Sequence, residues 1–243
     1  MKKQFTTLLM LAGFTVVIAA PKLASATTQA PAAALNNAIA TRCEASKKSL
    51  AAVANIITLD QNSYYKDVSP ESLKLYYPEK PAVFLDGTTH NVYSSTGNVP
   101  HYDNKGKVVT TGAPRTNYKL VVNSNRGTLA SAKALGKGIE TSPAYTSFSQ
   151  ALDKVEGDVT MASAQDDTLI AKWNTLTSPA AMAAMDCSAS AGRDAVLKLR
   201  VERSTDLKAL NSSVNTVKND THKLVIAQKR LAATYHKLEA KKS

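Results

Sequence analysis

Side chains spaced at steps of three and four residues run through two long stretches in the second half of the chain. The first stretch has this spacing at Tyr145, Phe148, Leu152, Val155, Val159, Ala162, Asp166, Leu169, Trp173 and Leu176. The second has it at Leu207, Leu210, Val214, Val217, Thr221, Leu224, Gln228, Leu231, Tyr235 and Leu238. Such steps place side chains on one face of an α-helix, and most of these side chains are apolar. The pattern predicts two long amphipathic helices that face each other.

A third amphipathic helix is predicted at residues 33–59. Its apolar side chains recur near the helical period at Leu35, Ile39, Cys43, Leu50, Val53 and Ile57. Further along, Ser178 and Pro179 form an N-cap followed by proline, which favours the end of the helix begun at Pro143 and the start of a short new one. From Arg193 we expect the last helix to continue nearly to the C-terminus.

Residues 60–126 have the composition of a small β-rich insert. The sequence Ser-Pro-Glu at 69–71 predicts a short capped helix that runs to Tyr77. Beyond it, short runs rich in β-branched and aromatic residues, separated by turn sequences, predict strands at 83–85, 91–93, 107–110 and 118–122. Residues 127–142 are polar and contain glycines, which is typical of a linker.

Together these elements predict a mainly α protein of the α+β class, in which long amphipathic helices form a three-helix bundle. A small antiparallel β-rich insert lies between helices 1 and 2. The predicted segments are a signal peptide at 1–26, the first bundle helix at 27–59, the Tyr-rich insert at 60–126, a linker at 127–142 and a long helical hairpin at 143–243. In outline this is similar to the minor pilins of type IV secretion systems, which place an appendage between helices of a bundle. The resemblance involves no shared motif.

The last predicted helix is longer than its partners. At 1.5 Å per residue it would extend roughly 70 Å, against roughly 40 to 50 Å for the other two. Part of it must therefore project, bend near residues 211–213 or pack against a second copy of the chain. Because Val225, Ala227 and Ala232 widen its apolar face, we expect this helix to be covered on more than one side, and self-association is one way to achieve that.

The N-terminus has the three parts of a secretory signal peptide. Lys2 and Lys3 precede an apolar run at residues 5–20, and Ala24-Ser25-Ala26 is a small-residue cleavage site. The alternative is a retained anchor helix, but about 20 apolar residues are needed to span a bilayer. We therefore predict cleavage after Ala26 and a periplasmic or secreted product, with no transmembrane segment after cleavage.

The charges of the two C-terminal helices have opposite signs. Residues 143–192 hold two basic and six acidic residues, a net charge of −4, whereas residues 193–243 hold twelve basic and five acidic residues, a net charge of +7. One interpretation is that the helices pair through exposed ion pairs, each contributing about 0.5 kcal/mol. The other is that the basic helix binds an external polyanion. The first is favoured because the positive charge is spread along the helix.

Cys43 and Cys187 are the two cysteines of the chain. In an oxidising compartment an isolated pair most simply forms one disulfide, here between the first helix and the segment before the last helix. Two separate buried thiols are the alternative. The spacing excludes a CxxC redox motif.

The sequence contains no familiar catalytic motif. A GxSxG elbow, an HExxH helix, a P-loop and a GxGxxG loop are all absent. His222 and His236 would lie about 21 Å apart on one helix, too far to share a metal. His90 and His101 fall in turns of the insert, where solvated side chains are commonest. We therefore expect a non-enzymatic protein with no metal and no cofactor.

The tyrosines of the insert are the candidate binding surface, because seven of the nine tyrosines lie between residues 64 and 118. The candidate residues are Tyr64, Tyr65, Tyr76, Tyr77, Tyr93, Tyr102 and Arg115. Tyrosine and arginine are enriched at contact surfaces, although the same residues could simply pack the insert onto the bundle. We expect a binding or assembly protein of the bacterial cell envelope or extracellular space, minor-pilin-like or adhesin-like, with a protein or glycan partner.

Two further classes of partner are anionic envelope polymers and nucleic acids. The alternative function is an envelope protein whose basic C-terminal helix binds anionic lipid or polysaccharide. A nucleic-acid partner is not expected, because export removes it and the sequence has neither an RNP nor a helix-turn-helix pattern.

The signal peptide can be tested by expressing the whole chain in a bacterium with an intact export pathway. We expect the periplasmic product to have the intact mass of residues 27–243, because the residues before Thr27 match a signal peptidase site. Mass spectrometry of the periplasmic and membrane fractions makes the measurement. An uncleaved chain recovered from the membrane would show a retained anchor instead.

Overall fold

A computed structural model of the chain describes residues 29–85, 88–102, 108–109 and 114–241. This part is mainly helical, as the sequence predicts. The helices are α1 (Gln29–Ala51), α2 (Val53–Tyr64), α3 (Pro70–Tyr76), α4 (Tyr118–Ala134), α5 (Lys137–Glu140), α6 (Pro143–Leu176), α7 (Pro179–Ala184) and α8 (Ser190–Glu239). The predicted signal peptide at 1–26 lies outside the described residues.

The chain divides into two compact units, residues 1–39 and residues 40–243. In the first unit, the described residues 29–39 form the N-terminal part of α1. The second unit contains the rest of α1 and the elements from α2 to α8.

Helices α6 and α8 form an antiparallel pair. Trp173 near the end of α6 donates its indole N–H to the Asp206 carboxylate at 2.8 Å, whereas Lys154 near the start of α6 lies 3.2 Å from the Asp220 carboxylate. Residue numbers thus fall on α6 as they rise on α8. Ser142 starts α6 by accepting a hydrogen bond from the Tyr145 backbone N–H, as expected for a Ser-Pro helix start.

The buried side chains form two clusters along this pair. The first joins α6 and α8 to α4 and α5 and is built around Val122, Ile139, Phe148, Leu152, Val155, Val159, Val217, Leu224, Leu231 and Tyr235. The second joins the other ends of α6 and α8 to α1 and α2 and is built around Leu50, Val53, Ile57, Leu169, Trp173, Val196, Leu199 and Leu210. These are largely the positions of the predicted helical stripes.

The first predicted bundle helix consists of two helices. Ala52 separates α1 from α2, although its backbone stays in the right-handed helical region and its carbonyl accepts a hydrogen bond from the Ile56 N–H at 3.0 Å. Leu50, Val53 and Ile57 on either side of it are each 0% exposed. The disulfide joins Cys43 of α1 to Cys187, which lies between α7 and α8, and the Cα atoms are 5.7 Å apart. This pairing agrees with the prediction from the two cysteines.

Helix α8 is continuous through the residues where a bend was considered. Its extra length over α6 is used at the N-terminal end, where Val196 and Leu199 belong to the same buried cluster as Cys43 and Leu50 of α1. At that end, the part of α8 that extends beyond α6 therefore packs against α1 of the same chain.

The strand predicted at residues 118–122 is wrong, because these residues begin α4. Asn117 is the N-cap, and its side-chain oxygen accepts a hydrogen bond from the Leu120 backbone N–H at 2.8 Å. On the inner side Val122 packs into the first cluster. Residues 127–142, predicted as a linker, hold the second half of α4 and all of α5, so they are largely helical.

The described strands of the insert form three two-stranded antiparallel ladders. β1 (Glu79–Val83) pairs with β2 (Thr89–Tyr93), β3 (Thr96–Gly97) with β6 (Arg115–Thr116), and β4 (His101–Tyr102) with β5 (Val108–Val109). The register of the first ladder places Glu79 opposite Tyr93 and Val83 opposite Thr89. Strands of this length need support from neighbouring elements, which α2 supplies through its contacts with β4 and β6.

Ion pairs do join α6 and α8, but they use the minority charges of each helix. Lys172 of the acidic helix contacts Glu202 and Asp206 of the basic helix at 2.8 Å each. Lys154 likewise contacts Asp220. The acidic excess of α6 is met elsewhere, because Asp153 and Glu156 both pair with Arg126 of α4. The two helices are thus joined by ion pairs, as the first interpretation predicts, but the bases come from α6 and the acids from α8.

The disulfide should contribute strongly to stability, because it closes a loop with a sequence separation of 144 residues. We expect the double variant Cys43→Ala/Cys187→Ala to lose roughly 3 to 5 kcal/mol of unfolding free energy. Guanidinium unfolding of both proteins, followed by circular dichroism, measures the difference. Wild-type protein in reductant serves as the matched control and should unfold at nearly the midpoint of the variant. A variant midpoint equal to that of the oxidised wild type would contradict the role given to the bond.

Candidate functional site

Three tyrosine rings connect the end of α2 to the start of α4. The Tyr64 and Tyr118 rings stack with centroids 6.0 Å apart, and those of Tyr65 and Tyr118 lie 6.3 Å apart. Tyr65 and Tyr118 are 4% and 5% exposed, and burial raises the pKa of Tyr118 to about 12. The Tyr65 hydroxyl has no hydrogen-bond partner in the described part of the chain. These rings are core contacts that fix α4 against α2.

Arg115 covers this tyrosine cluster from β6. Its guanidinium carbon lies 5.1 Å from the centroid of the Tyr64 ring, and its Nη1 atom donates to the carboxylate of Asp60. A cation over an aromatic face contributes about 0.5 to 2 kcal/mol, more when both groups are withdrawn from water. Arg115 therefore holds β6 to α2, and its charge is already paired.

Tyr76 and Tyr77 differ in exposure although they are adjacent. Tyr77 is 2% exposed, and its hydroxyl donates to the Ser63 carbonyl at 3.3 Å. Tyr76 is half-buried and lines an open groove of about 430 Å³. The remaining lining residues are Leu59, Asn62, Lys66, Asp67, Val68, Ser69, Ser72, Val99 and Pro100, together with Tyr77. We call this the Tyr76 groove; α2, α3 and the segment after β3 form its walls.

Gly97 of β3 sets one wall of the Tyr76 groove. A Cβ atom on Gly97 would lie 1.9 Å from the Tyr76 carbonyl oxygen and 2.8 Å from the Tyr77 ring. No other residue type allows β3 to approach the end of α3 this closely without displacing it. The position of Tyr76 thus depends on the absence of a side chain at residue 97.

Helix α3 presents apolar side chains to solvent. It contains no buried residue, and Leu75 is 72% exposed. The helix is held in shape locally, since the Ser69 side chain accepts a hydrogen bond from the Ser72 backbone N–H at 3.2 Å and Pro70 occupies the first turn. The exposed Leu75 thus directly precedes the half-buried Tyr76 in the sequence, although Leu75 itself does not line the groove.

The side chain of Asn117 connects the part of the groove formed by α2 to α4. Asn117 is 0% exposed, and its side-chain amide donates to the Ser63 carbonyl at 3.0 Å and to the Lys66 carbonyl at 3.2 Å. The same residue caps α4. The end of α2, which forms part of the wall of the Tyr76 groove, is thereby hydrogen-bonded to the start of α4.

The structure separates the predicted surface residues into two groups. Tyr65 and Tyr77 are buried, and Arg115 is occupied by Asp60, so these three hold the insert in place. Tyr76 lines the groove, whereas Tyr64 and Tyr93 are half-buried elsewhere. Tyr102 lies in β4, and its side chain is outside the described part of the chain. The members of the predicted surface whose side chains the structure describes thus do not form one continuous tyrosine patch.

The sequence interpretation missed several groove residues. Asn62, Ser72, Val99 and Pro100 line the groove without belonging to any recognisable motif. Leu75 carried a usable signal, because three apolar residues at positions 73, 75 and 76 cannot all face inward from a two-turn helix. Tyr118 was counted in the insert, but its ring packs on α2 as the first residue of α4.

Asp166 of α6 is a buried carboxyl group near the tyrosine cluster. It is 3% exposed, and burial raises its pKa to about 7, with further increases from the nearby Asp60 and Asp167 carboxylates and a decrease from Lys66. Burial raises the pKa of Tyr65, and the Asp166 carboxylate raises it further. Its neighbour Asp167 is held in a different way, by a 2.7 Å hydrogen bond from the Gln61 side chain.

The described residues contain no group of three or more His, Cys, Asp or Glu that could hold a metal ion. His101, predicted in a turn, lies in β4, and its side chain is outside the described part of the chain. The neighbouring acids Asp86 and Asp103 are also outside the described residues. Among the described helices, none is long and apolar enough to cross a membrane.

Comparison with known proteins adds no relative. The chain matches no protein-family model, no curated protein and no solved structure.

The Asp166 pKa makes stability depend on pH. A carboxyl whose folded-state pKa is about 7 binds a proton more tightly than it does in the unfolded chain, so stability should rise as the pH falls from 8 towards 5. Linkage alone would give at most about 2.6 kcal/mol over this range. Because water screens part of this interaction, we expect a gain of roughly 1 to 2 kcal/mol, absent in Asp166→Asn. Urea unfolding at pH 5, 6, 7 and 8 provides the measurement.

The matched control is Asp194→Asn, which removes an exposed carboxylate from α8. It should retain the dependence of the wild type on pH. If Asp166→Asn kept the full slope as well, the titrating group would have to be a different one.

Proposed function

We propose that this chain is an exported, non-enzymatic binding protein that holds a segment of a partner protein in the Tyr76 groove. One observation carries the proposal: Tyr76 is half-buried in an open groove of about 430 Å³, directly beside a leucine that is 72% exposed. Tyrosine, like tryptophan and arginine, is enriched among the residues that contribute most to binding at protein interfaces.

The chemistry of the groove favours a polypeptide. Tyr76, Val99 and Pro100 offer apolar contact, while Asn62 and Ser72 offer hydrogen bonds at the edge. Covering Leu75 would add apolar burial, which for a leucine side chain amounts to about 1.5 to 3 kcal/mol when complete. A groove of this volume accommodates a few side chains of an extended segment.

The walls of the groove are held before any partner arrives. The Tyr77 hydroxyl bonds Ser63, and Gly97 lies against Tyr76 and Tyr77. Asn117 ties the adjacent end of α2 to α4. Preformed walls reduce the conformational entropy lost on binding, which supports useful affinity from a small contact area.

The rest of the chain would serve as the scaffold. In this proposal α1 and α2 together, α6 and α8 form the three-helix bundle, and the segment from α3 to β6 is the displayed insert. The outline is similar to minor pilins of type IV secretion systems, which supports an assembly role in the cell envelope or outside the cell. Export is supported by the signal-like sequence of residues 1–26 and by the disulfide, since disulfides persist in oxidising compartments.

A displayed peptide library tests the groove without knowledge of the natural partner. Twelve-residue peptides on phage would be selected on the immobilised, oxidised mature chain and then measured individually by fluorescence anisotropy. We expect selected peptides to bind wild type and to lose roughly tenfold or more in affinity on Tyr76→Ala and on Leu75→Ser, because truncating an interface anchor typically costs above 1 kcal/mol.

Leu197→Ser is the matched control, since Leu197 is also an exposed leucine, 56% exposed, but lies on α8. It should leave peptide affinity unchanged. Failure to enrich any peptide, or equal losses on both leucine variants, would remove the groove from consideration. Binding of neutral oligosaccharides at the groove, sensitive to Tyr76→Ala while peptides do not bind, would assign it to glycans and overturn the polypeptide partner.

A further inference from the structure

Between Leu207 and Leu238, the solvent side of α8 carries positive charge without exposed negative charge. Just beyond this stretch, the exposed Glu239 accepts a hydrogen bond from the Tyr235 hydroxyl. Between Leu207 and Leu238 the basic residues are Lys208, Lys218, Lys223, Lys229, Arg230 and Lys237, and all of them are exposed. We call these six side chains the cationic face. The cationic face is on a different helix from those that form the Tyr76 groove, and none of its residues lines that groove.

The one acidic residue in this stretch points inward. Asp220 is 6% exposed and contacts Lys154 of α6 at 3.2 Å and Lys223 at 2.6 Å. Hydrogen bonds from Lys223 and from α6 lower the pKa of Asp220 to about 2. Asp220 thus belongs to the contact between α6 and α8 and compensates Lys223 alone on the cationic face.

The other five cations have no ion pair with any residue that the structure describes. The acids that might have met them are used elsewhere. Asp153 and Glu156 of α6 pair with Arg126, and Asp167 pairs with Lys66. The positive charge of the face is therefore left to the solvent.

The cations are regularly placed along a straight support. Lys223, Arg230 and Lys237 are seven residues apart, which on an α-helix puts them on one side at intervals of about 10.5 Å. The whole face from Lys208 to Lys237 extends about 43 Å by the same rise per residue. The support is rigid because the opposite side of α8 is buried, with Leu224 and Leu231 each 0% exposed.

We propose that the cationic face binds a linear polyanion, namely a polysaccharide that carries phosphate, sulfate or carboxylate groups along its length. Charge complementarity selects a polyanion, and the row formed by Lys223, Arg230 and Lys237 fits an extended strand. A membrane surface is less suited to this face. Helices that lie in a bilayer interface insert a wide apolar side, and here that side is buried in the protein core. The aliphatic residues left outside, Val225 and Ile226, are 39% and 40% exposed.

Binding of this kind depends on salt. Each cation that neutralises an anionic group releases a counterion, so the logarithm of the binding constant should fall linearly with the logarithm of salt concentration. With about four or five contacts, affinity should fall about a hundredfold between 50 and 200 mM salt. An apolar contact at the Tyr76 groove would respond much less over the same range.

The test uses the oxidised mature chain with heparin, a sulfated polysaccharide, as the probe, measured by isothermal titration calorimetry at several salt concentrations. The face variant is Lys229→Gln/Arg230→Gln/Lys237→Gln. The charge-matched control is Lys48→Gln/Lys80→Gln/Lys133→Gln, which removes three exposed cations from α1, β1 and α4. All six side chains are exposed and make no ion pair among the described residues, so both variants should fold, as circular dichroism and thermal melting would verify.

We expect the face variant to lose tenfold or more in affinity at 50 mM salt and its salt slope to fall by about 2 to 3, with the control within about twofold of wild type. Equal losses in the two variants would show that net charge alone attracts heparin and would overturn the proposal. So would absence of heparin binding by wild type, or tighter binding to phosphatidylglycerol vesicles than to heparin. Leu75→Ser should bind heparin normally, which separates this result from that of the Tyr76 groove.

Discussion

The antiparallel contact between α6 and α8 is the interaction on which the rest of the fold depends. Leu152 and Val155 of α6 and Leu224 and Leu231 of α8 are each 0% exposed, and burying side chains of this size contributes about 1.5 to 3 kcal/mol each. α6 also contacts α2 and α4, so it is the element that the other helices share. The insert is connected to α2 and α4, and its position therefore follows from where α6 holds those two helices.

The elements that sequence could predict are those whose pattern is repeated many times. α6 and α8 extend over many helical turns, so their period survives single exceptions such as Asp166 and Thr221. α4 was missed because Leu120, Val121 and Val122 resemble a strand over a short window. Its helical state is decided by the cap at Asn117 and by packing of Val122 into the core, and tertiary packing readily overrides such local preferences. The asparagine cap was present in the sequence but is a weak signal alone.

The candidate site was harder to predict than the fold, because composition does not determine burial. Tyr76 and Tyr77 have the same chemistry and adjacent positions, yet one lines a groove and the other is buried against Ser63. The difference arises from the close approach of Gly97, which lies 20 or more residues further along the chain. A single sequence gives no indication of such a contact. The tyrosine-rich composition indicates the region to which most of the groove-lining residues belong.

Most acidic residues of α8 pair with α6, whereas the basic residues of its C-terminal half are exposed to solvent. Three of its five acids, Glu202, Asp206 and Asp220, face α6, where they meet lysines. A surface helix that only needed solubility could place acids four residues from its cations, which stabilises a helix by about 0.2 to 0.5 kcal/mol per pair. Around Arg230 those positions hold Ile226 and Thr234 instead.

Around Lys237 the same positions hold Ala233 and another lysine, Lys241. The sequence thus places no acidic residue four positions from Arg230 or Lys237. No described residue forms an ion pair with either side chain. Like charges along one side of a helix repel each other, so the face is less stable in isolation than a mixed one would be. A ligand that brings the missing negative charge removes that repulsion as it binds, which couples occupancy of the cationic face to the stability of α8.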